Sequence, residues 1–262
     1  MPELPESDAA RRRIADHCLH RTIAGFALGE VSHVELPIAA ERNRLIGTQF
    51  TRTRRHGKYI FAGSQNGPWL HIHLGMSGSL RVYEEGDDAP DYARLTVIFE
   101  GTRRLAFRDP RKFGRIRLVE DVDDFVAEKR LGPDAMEIGD NAFASAIGGT
   151  RQAVKSALLD QSKMAGVGNL WSDEALYRCG IMPDARGTDI DAATIAHLRR
   201  AVQDIMGYVM SRNADYSQLP NDWLIHHRKD GADCPRCGGT ITKKKVGGRT
   251  AYHCPDHQSH AG

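Results

Sequence analysis

Met1-Pro2-Glu3-Leu4-Pro5-Glu6 opens the chain and sets two prolines and two acids directly before a helix-like pattern. A small second residue permits removal of the initiator methionine, which would leave Pro2 as the N-terminus. Its nitrogen would then be a secondary α-amine, of a class titrating near pKa ~8. A substantial share would be unprotonated at neutral pH and able to attack an aldehyde-like sugar carbon, giving an iminium ion. Glu3 and Glu6 are close enough in sequence to move protons around that nitrogen. The alternative is that a proline here only starts a helix in its first turn.

Outward from this opening, residues 6–20 read as a helix with Ile14, Cys18 and Leu19 on one apolar face. Residues 22–119 are mostly strand-like. Tyr59-Ile60-Phe61, Trp69-Leu70-His71-Ile72-His73-Leu74, Leu80-Arg81-Val82-Tyr83 and Leu95-Thr96-Val97-Ile98-Phe99 are short apolar or alternating runs separated by Gly, Pro, Asn and Asp. That spacing predicts a β-sandwich or barrel. Beyond Glu120 the pattern turns helical, over 121–130, 141–147, 151–161, 170–179 and 189–211, and the tail from His226 forms a separate compact unit. The expected organisation is an N-terminal sandwich domain over 1–130, a helical domain over 131–225 and a C-terminal module over 226–262.

A chain of 262 residues can bury two cores. No apolar run reaches the ~18 residues of a membrane span, and the N-terminus carries acid where a signal peptide carries base. A monomer in the cytoplasm is expected. Net charge is only +2, but it is unevenly spread. Arg42, Arg44, Arg52, Arg54, Arg55 and Lys58 form one basic stretch; Arg103, Arg104, Arg108, Arg111, Lys112, Arg115 and Arg117 form a second; Lys243, Lys244, Lys245 and Arg249 form a third. Such clusters can follow a phosphate backbone, or simply be solvated.

Five cysteines are too few and too uneven for a disulfide scaffold. Cys18 and Cys179 sit in apolar helical contexts and read as small hydrophobes. Cys234-Pro235-Arg236-Cys237 and Cys254-Pro255-Asp256-His257, sixteen residues apart, give two ligand pairs at knuckle spacing, the pattern of a tetrahedral Zn²⁺ site. His253 and His260 are alternatives to His257 as fourth ligand. With no general base nearby, the expected role is structural, with one zinc per chain and a β-hairpin over 240–253 turning near Gly247-Gly248. Arg249 on that stapled hairpin is a candidate phosphate contact. Another is Asn169, which follows Gly166-Val167-Gly168 and opens a helix whose free N–H groups favour an anion.

Taken in order, Met1–Glu6, Gly57-Lys58-Tyr59, His73-Leu74-Gly75-Met76-Ser77-Gly78, Asp109-Pro110-Arg111-Lys112-Phe113-Gly114, Gly166-Val167-Gly168-Asn169 and the zinc ribbon resemble the formamidopyrimidine-DNA glycosylase/endonuclease VIII family over nearly the whole chain. Leu4 resembles the formamidopyrimidine branch. The resemblance implies an α+β fold: an N-terminal helix with a β-sandwich domain, then a helical helix-two-turn-helix domain carrying the zinc-ribbon hairpin. It also implies a bifunctional glycosylase/AP lyase acting on damaged bases or abasic sites in double-stranded DNA, with β,δ-elimination. Pro2 would be the Schiff-base nucleophile, Glu3 the acid for sugar-ring opening and Glu6 a proton-transfer group. Lys58 and Asn169 would grip phosphates beside the extruded nucleotide, with His73 and Arg249 as further DNA contacts. Met76, Arg111 and Phe113 match void-filling residues. That role is physically sensible, because an extruded base leaves a hole that apolar wedges can fill and Arg can hydrogen-bond the orphaned partner. Lys155 stands where the family often has a lesion-contacting Lys, and could equally meet a phosphate.

Two departures stand out. Ser7-Asp8 replaces the family's common Val-Glu, which puts a carboxylate close in sequence to Pro2. The stretch 212–228 is short for the branch, where this region covers flipped 8-oxoguanine, so formamidopyrimidines, oxidised pyrimidines and abasic sites become comparable substrates. Two rivals remain: a zinc-containing damaged-DNA-binding protein that has lost catalysis, for which only Ser7-Asp8 speaks, and a zinc-ribbon nucleic-acid protein unrelated to repair.

Overall fold

The computed structural model describes residues 1–65 and 67–260. The chain divides into two compact units, Met1–Lys129 and Arg130–Gly262.

The first unit opens with α1 (Leu4–Cys18), whose Leu4, Ala10, Ile14 and Cys18 are buried. Two four-stranded antiparallel sheets follow. One has the order β1 (Ile23–Leu28), β6 (Ala93–Phe99), β7 (Arg103–Arg108), β5 (Ser79–Glu84). The other has the order β2 (Phe50–His56), β3 (Tyr59–Ser64), β4 (Trp69–His73), β8 (Arg115–Val119). Between them Ile60, Ala62, Leu70 and Ile72 meet Leu80, Leu95, Val97, Phe99, Leu105 and Phe107 in one core, which also takes in Ile14 and Cys18. This is the expected sandwich, and α1 packs on β2 and β3. A short α2 (Ala39–Asn43) lies between β1 and β2, and α3 (Val122–Glu128) closes the unit. The start of α3 is fixed by Asp121, whose carboxylate accepts from the Asp123 and Asp124 N–H groups at 2.7 and 3.1 Å.

The second unit holds α4 (Asp140–Phe143), α5 (Val154–Leu159), α6 (Asn169–Cys179) and α7 (Ala192–Ser211). The helix predicted over 141–147 is mixed: α4 passes into a π-helical turn at Ala144–Gly148. The helix expected over 151–161 is shorter than its pattern. Before α5 the chain at Ala153 bridges to Arg186, and the Val154 and Lys155 N–H groups donate to Ala185 and Pro183 carbonyls at 2.7 and 3.2 Å. Those long-range bonds satisfy donors that an earlier helical turn would otherwise need to hold. On α7, Ile195, Leu198, Val202, Ile205, Met206 and Val209 are buried at helical spacing. The unit ends in the predicted hairpin, β9 (Thr242–Val246) and β10 (Arg249–His253), with Gly247 and Gly248 at positive φ in the turn. Among the described residues, no helix is long and apolar enough to cross a membrane.

Candidate functional site

In the first unit the candidate functional residues collect at the start of α1 and at the ends of neighbouring strands. Glu3 precedes the first turn of α1 and is buried. Its N–H donates to Glu6 Oε2 at 2.6 Å, which places the Glu6 carboxylate at the positive end of the helix. Ser7 Oγ donates to the Lys58 carbonyl at 3.3 Å, tying α1 to the β2–β3 turn that carries Lys58. Tyr59 pairs with His73 across β3 and β4. Burial, with the Lys58 and Arg115 charges, holds the His73 imidazole down to about 4, so it is neutral at neutral pH.

Asp8 answers the question raised by Ser7-Asp8. It is buried, and it pairs with Arg11 at 2.9 Å, Arg12 at 2.7 Å and Arg55 at 3.8 Å. Its charge is therefore spent inside the α1–β2 packing.

Two loops link the sheets at one end, β4–β5 with Met76 and β7–β8 with Arg111 and Phe113. They are locked together by Asp109, which is fully buried. Ser77 Oγ donates to Asp109 Oδ1 at 2.7 Å, Gly114 N–H to Oδ2 at 2.7 Å and Arg111 N–H to Oδ1 at 3.3 Å. Gly75 has φ +64°, and a Cβ there would lie 2.4 Å from the Phe113 carbonyl carbon, so only glycine permits this approach. On this frame Met76 is 39% and Phe113 53% exposed, which rules out core packing for either side chain. The Arg111 guanidinium stacks over the Phe113 ring at 5.3 Å. Asp109→Ala should destabilise the unit by roughly 3 kcal/mol by stranding buried donors. It should also weaken DNA binding, a loss checked by thermal unfolding alongside a duplex titration.

The basic stretches are largely compensated. Arg44 pairs with Glu120, Arg54 with Asp123, Arg103 with Glu84, Arg104 with Glu85, Lys112 with Glu30 and Lys244 with Asp184. Arg111 and Arg249 have no ion pair among the described residues, so their charge remains available to an incoming anion.

In the second unit Gln161 braces the glycine turn. Its Nε2 donates to the Leu159 and Val167 carbonyls at 2.8 and 2.9 Å, and its Oε1 accepts from Gly166 N–H at 3.0 Å. The turn delivers Asn169 to the first position of α6. Lys155 corrects an expectation: it is fully buried and ion-paired with Asp173, so it presents no charge to a lesion or a phosphate. A buried ammonium needs a carboxylate partner, and Asp173 lies one turn along α6. Lys155 Nζ also donates to the Asn169 carbonyl at 3.3 Å, which makes it a support for Asn169. Asp173 Oδ2 takes Arg228 Nη2 at 2.7 Å and Tyr252 N–H at 3.1 Å, so the same carboxylate anchors strand β10 beside α6. A Cβ on Gly247 would lie 2.4 Å from Ser156 Oγ, so the hairpin tip that carries Arg249 presses on α5. Asp173→Asn should lower the melting temperature by several degrees, as is usual for a broken buried ion pair, measured by scanning calorimetry.

Cys234, Cys237, Cys254 and His257 bring their ligand atoms within 4.8 Å of one another, a group able to hold a metal ion. His257 Nε2 lies 3.3 Å from the Tyr177 carbonyl, and Nδ1 lies 3.6 Å from Cys234 Sγ. Donation from Nε2–H to the carbonyl leaves the Nδ1 lone pair facing the thiols, as a metal ligand requires. The two alternatives are engaged elsewhere, His253 with Thr242 and His260 with Asp184.

Residues 1–116 match the model of the formamidopyrimidine-DNA glycosylase N-terminal domain, and residues 131–220 match that of the formamidopyrimidine-DNA glycosylase H2TH domain. A formamidopyrimidine-DNA glycosylase of Pelotomaculum thermopropionicum is 35% identical over 98% of this chain and 99% of its own. The chain belongs to the formamidopyrimidine-DNA glycosylase family. The Halorhodospira halophila member is 32% identical over 97% of this chain and 98% of its own. The crystal structure of the Lactococcus lactis glycosylase, non-covalently bound to DNA containing an AP site, superposes with a TM-score of 0.90 at 25% identity, covering 98% of this chain and all of that one. Glycosylase fold, H2TH domain and a C-terminal Cys/His group on a hairpin are thus all present.

Two residues escaped the sequence reading. Asp109 lies inside a quoted motif, but nothing local says that it joins two loops. His71 was legible in part: alternation along β4 sends Leu70 and Ile72 to the core and puts His71 and His73 on the opposite face. His71 is 2% exposed, and burial, followed by His73 and the Arg117, Lys129 and Arg115 charges, brings its pKa down to about 3. The unfolded value is near 6.5, so the unfolded chain takes up this proton first as pH falls. The stability that goes with neutral His71 is complete above about pH 6.5 and drains away as pH drops toward the folded value, on the order of 5 kcal/mol in all. His71→Phe should flatten the pH dependence of unfolding in this window, measured by denaturant melts from neutral pH downward.

Proposed function

We propose that this chain is a bifunctional DNA glycosylase/AP lyase that removes oxidised or ring-opened bases from duplex DNA in base-excision repair, working as a monomer in the cytoplasm at the nucleoid. After loss of Met1, the Pro2 nitrogen attacks C1′ of the damaged nucleotide. The C1′–N bond to the base breaks, the base leaves with a proton, and opening of the sugar ring with a proton from Glu3 gives the Pro2 iminium. Glu6, held at the start of α1 by the Glu3 N–H, carries protons to and from this centre. Loss of a C2′ proton then expels the 3′ phosphate, and a second elimination expels the 5′ phosphate. Lys58, His73, Asn169 and Arg249 hold the DNA backbone, while Met76, Arg111 and Phe113 fill the space left by the extruded nucleotide. In this reading residues 1–130 carry the chemistry, 131–225 grip DNA and 226–262 form a module stapled by Zn²⁺, whose part is structural.

One observation carries the reading. The Ser7–Lys58 bond joins the acid-bearing start of α1 to the phosphate-gripping turn, on the same unit that raises an exposed Met76 and Phe113 beside an uncompensated Arg111. Asp8, buried among arginines, gives no support to a reading in which catalysis was lost. The test is strand scission on duplexes carrying an abasic site, 8-oxoguanine, a formamidopyrimidine or an oxidised pyrimidine. The proposal expects cleavage of the abasic duplex and of at least one lesion, with phosphate on both new ends. Tight binding without cleavage of any of the four would replace it with the non-catalytic binder.

A further inference from the structure

The loop that carries Arg111 and Phe113 is also held from the segment between β1 and α2. The end of β1 comes so close to β6 that a Cβ on Gly29 would lie 2.0 Å from the Ala93 carbonyl oxygen, and the Gly29 N–H donates to the Arg94 carbonyl at 3.2 Å. Only glycine allows this approach, and it sets Glu30 against the Arg94 side chain. Arg94 is 4% exposed. Its Nε donates to the Asp109 carbonyl at 2.9 Å, and its Nη1 to the Glu30 carbonyl at 2.8 Å and to Glu30 Oε2 at 3.0 Å. Among the described residues, Glu30 supplies the carboxylate for this buried cation. The other carboxylate oxygen, Oε1, takes Lys112 Nζ, which also donates to Ser32 Oγ at 2.9 Å. Lys112 has φ +59°, a left-handed conformation that a non-glycine residue keeps only where its surroundings hold it. One side chain thus reaches the loop at two points, Asp109 through Arg94 and Lys112 directly, and Arg111 lies between them.

We propose that Glu30 is a positioning and specificity-determining residue, which fixes the loop presenting Arg111 and Phe113 and keeps the Lys112 ammonium away from the phosphates of undamaged DNA. The first part follows from what the pairs restrain. A wedge fills a void best when its backbone is fixed before DNA arrives, because ordering left to the moment of binding is subtracted from affinity. Asp109 holds this loop from the interior through its buried carboxylate. Glu30, whose side chain is 62% exposed, holds it from the solvent side. The second part follows from charge. A free Lys112 would add a contact to any DNA backbone, damaged or intact. Paired with Glu30, its charge is offset, and the unpaired cation beside Phe113 is Arg111, whose forked donors suit a base edge. No step of the reaction is assigned to Glu30; it acts through Arg111 and Phe113. The proposal rests on the void-filling part given to those two residues, and not on the Pro2 chemistry.

The test compares binding of the full-length protein to two duplexes of one sequence, one intact and one carrying a tetrahydrofuran abasic analogue that cannot be cut. Exposed ion pairs are individually weak, so Glu30→Gln should weaken binding to the abasic duplex by about fivefold. Binding to the intact duplex should instead tighten by about twofold, with a salt dependence steeper by about one released counterion. A residue needed only for stability would weaken both. Lys112→Met should weaken the abasic complex alone, and added to Glu30→Gln it should cancel the gain on the intact duplex. In a Phe113→Ala background, where no wedge remains to be placed, Glu30→Gln should no longer weaken abasic binding. Both side chains are partly exposed, so folded variants are expected, and thermal unfolding checks this. Loss on both duplexes, no change on either, or the same loss with and without Phe113 would overturn the proposal. A natural abasic duplex that is bound selectively and never cut would instead sink the lyase reading and leave this one standing.

Discussion

Pro2→Gly is expected to lower strand scission by at least about a thousandfold and to abolish the covalent adduct trapped by borohydride on an abasic duplex. A prolyl nitrogen is a secondary amine, so its condensation with a sugar aldehyde gives a permanently charged iminium that withdraws electrons from C1′ at any pH. Glycine supplies a primary amine, whose imine must first be protonated to do the same, and it removes the ring that fixes φ ahead of α1. Since α1 begins at Leu4 and its Glu3–Glu6 bond lies within the chain beyond residue 2, the fold itself should be unchanged. Circular dichroism would check this. A second route reaches the same atom: acetylation or an N-terminal tag turns the Pro2 nitrogen into a non-nucleophilic amide without changing any side chain. The trapped band should vanish there too. A tagged chain that still traps at full yield would rule out the N-terminal nitrogen as nucleophile.

Removing the proposed zinc should have the second largest effect. Zinc binding to small ribbon modules is worth about 10–16 kcal/mol at neutral pH, which is folding energy for whatever the ligands staple. Here Cys234 and Cys254 are themselves core residues, packed with Tyr177, Leu224 and Ile241. Tyr177 Oη contacts Cys234 Sγ at 3.1 Å, so the ligand set is continuous with α6. Chelation or Cys254→Ser should therefore unfold the β9–β10 hairpin while leaving the sandwich intact, giving a first, low-temperature unfolding step. Arg249 would lose its fixed position against α5, and DNA affinity should fall at least about tenfold with a shallower salt dependence. Metal analysis should return one zinc per native chain. Unchanged DNA affinity in a fully demetallated chain would refute the structural role of the metal and the part given to Arg249.

Much of this architecture was legible because it rests on local rules. The short apolar or alternating runs over 59–61, 69–74, 80–83 and 95–99 became β3 to β6 because runs of this length, bounded by Gly, Pro, Asn and Asp, are marked as strands by local signals alone. The 3.6-residue pattern of α7 was equally plain. The knuckle spacing of Cys234, Cys237, Cys254 and His257 predicted their convergence, because two tight turns constrain donors without help from the rest of the fold. The limits of α5 were not legible. They depend on carbonyls of Pro183 and Ala185, some thirty residues further along, that capture its first N–H groups.

The same division runs through the site. The sequence by itself pointed to the residues proposed for the chemistry, the Pro2 amine with Glu3 and Glu6, and to Met76 and Phe113 as matches to void-filling residues. Only the tertiary structure decided which charges face outward. It buried Lys155 against Asp173, spent Asp8 on three arginines, paired most of the basic stretches with carboxylates and left Arg111 and Arg249 without ion pairs. It also set His71 beneath a cationic rim and joined the Met76 and Phe113 loops through Asp109. A residue's type fixes its charge and its donors, whereas whether that charge meets water, a carboxylate or a ligand depends on partners distant in the chain, brought within a few ångströms only by folding.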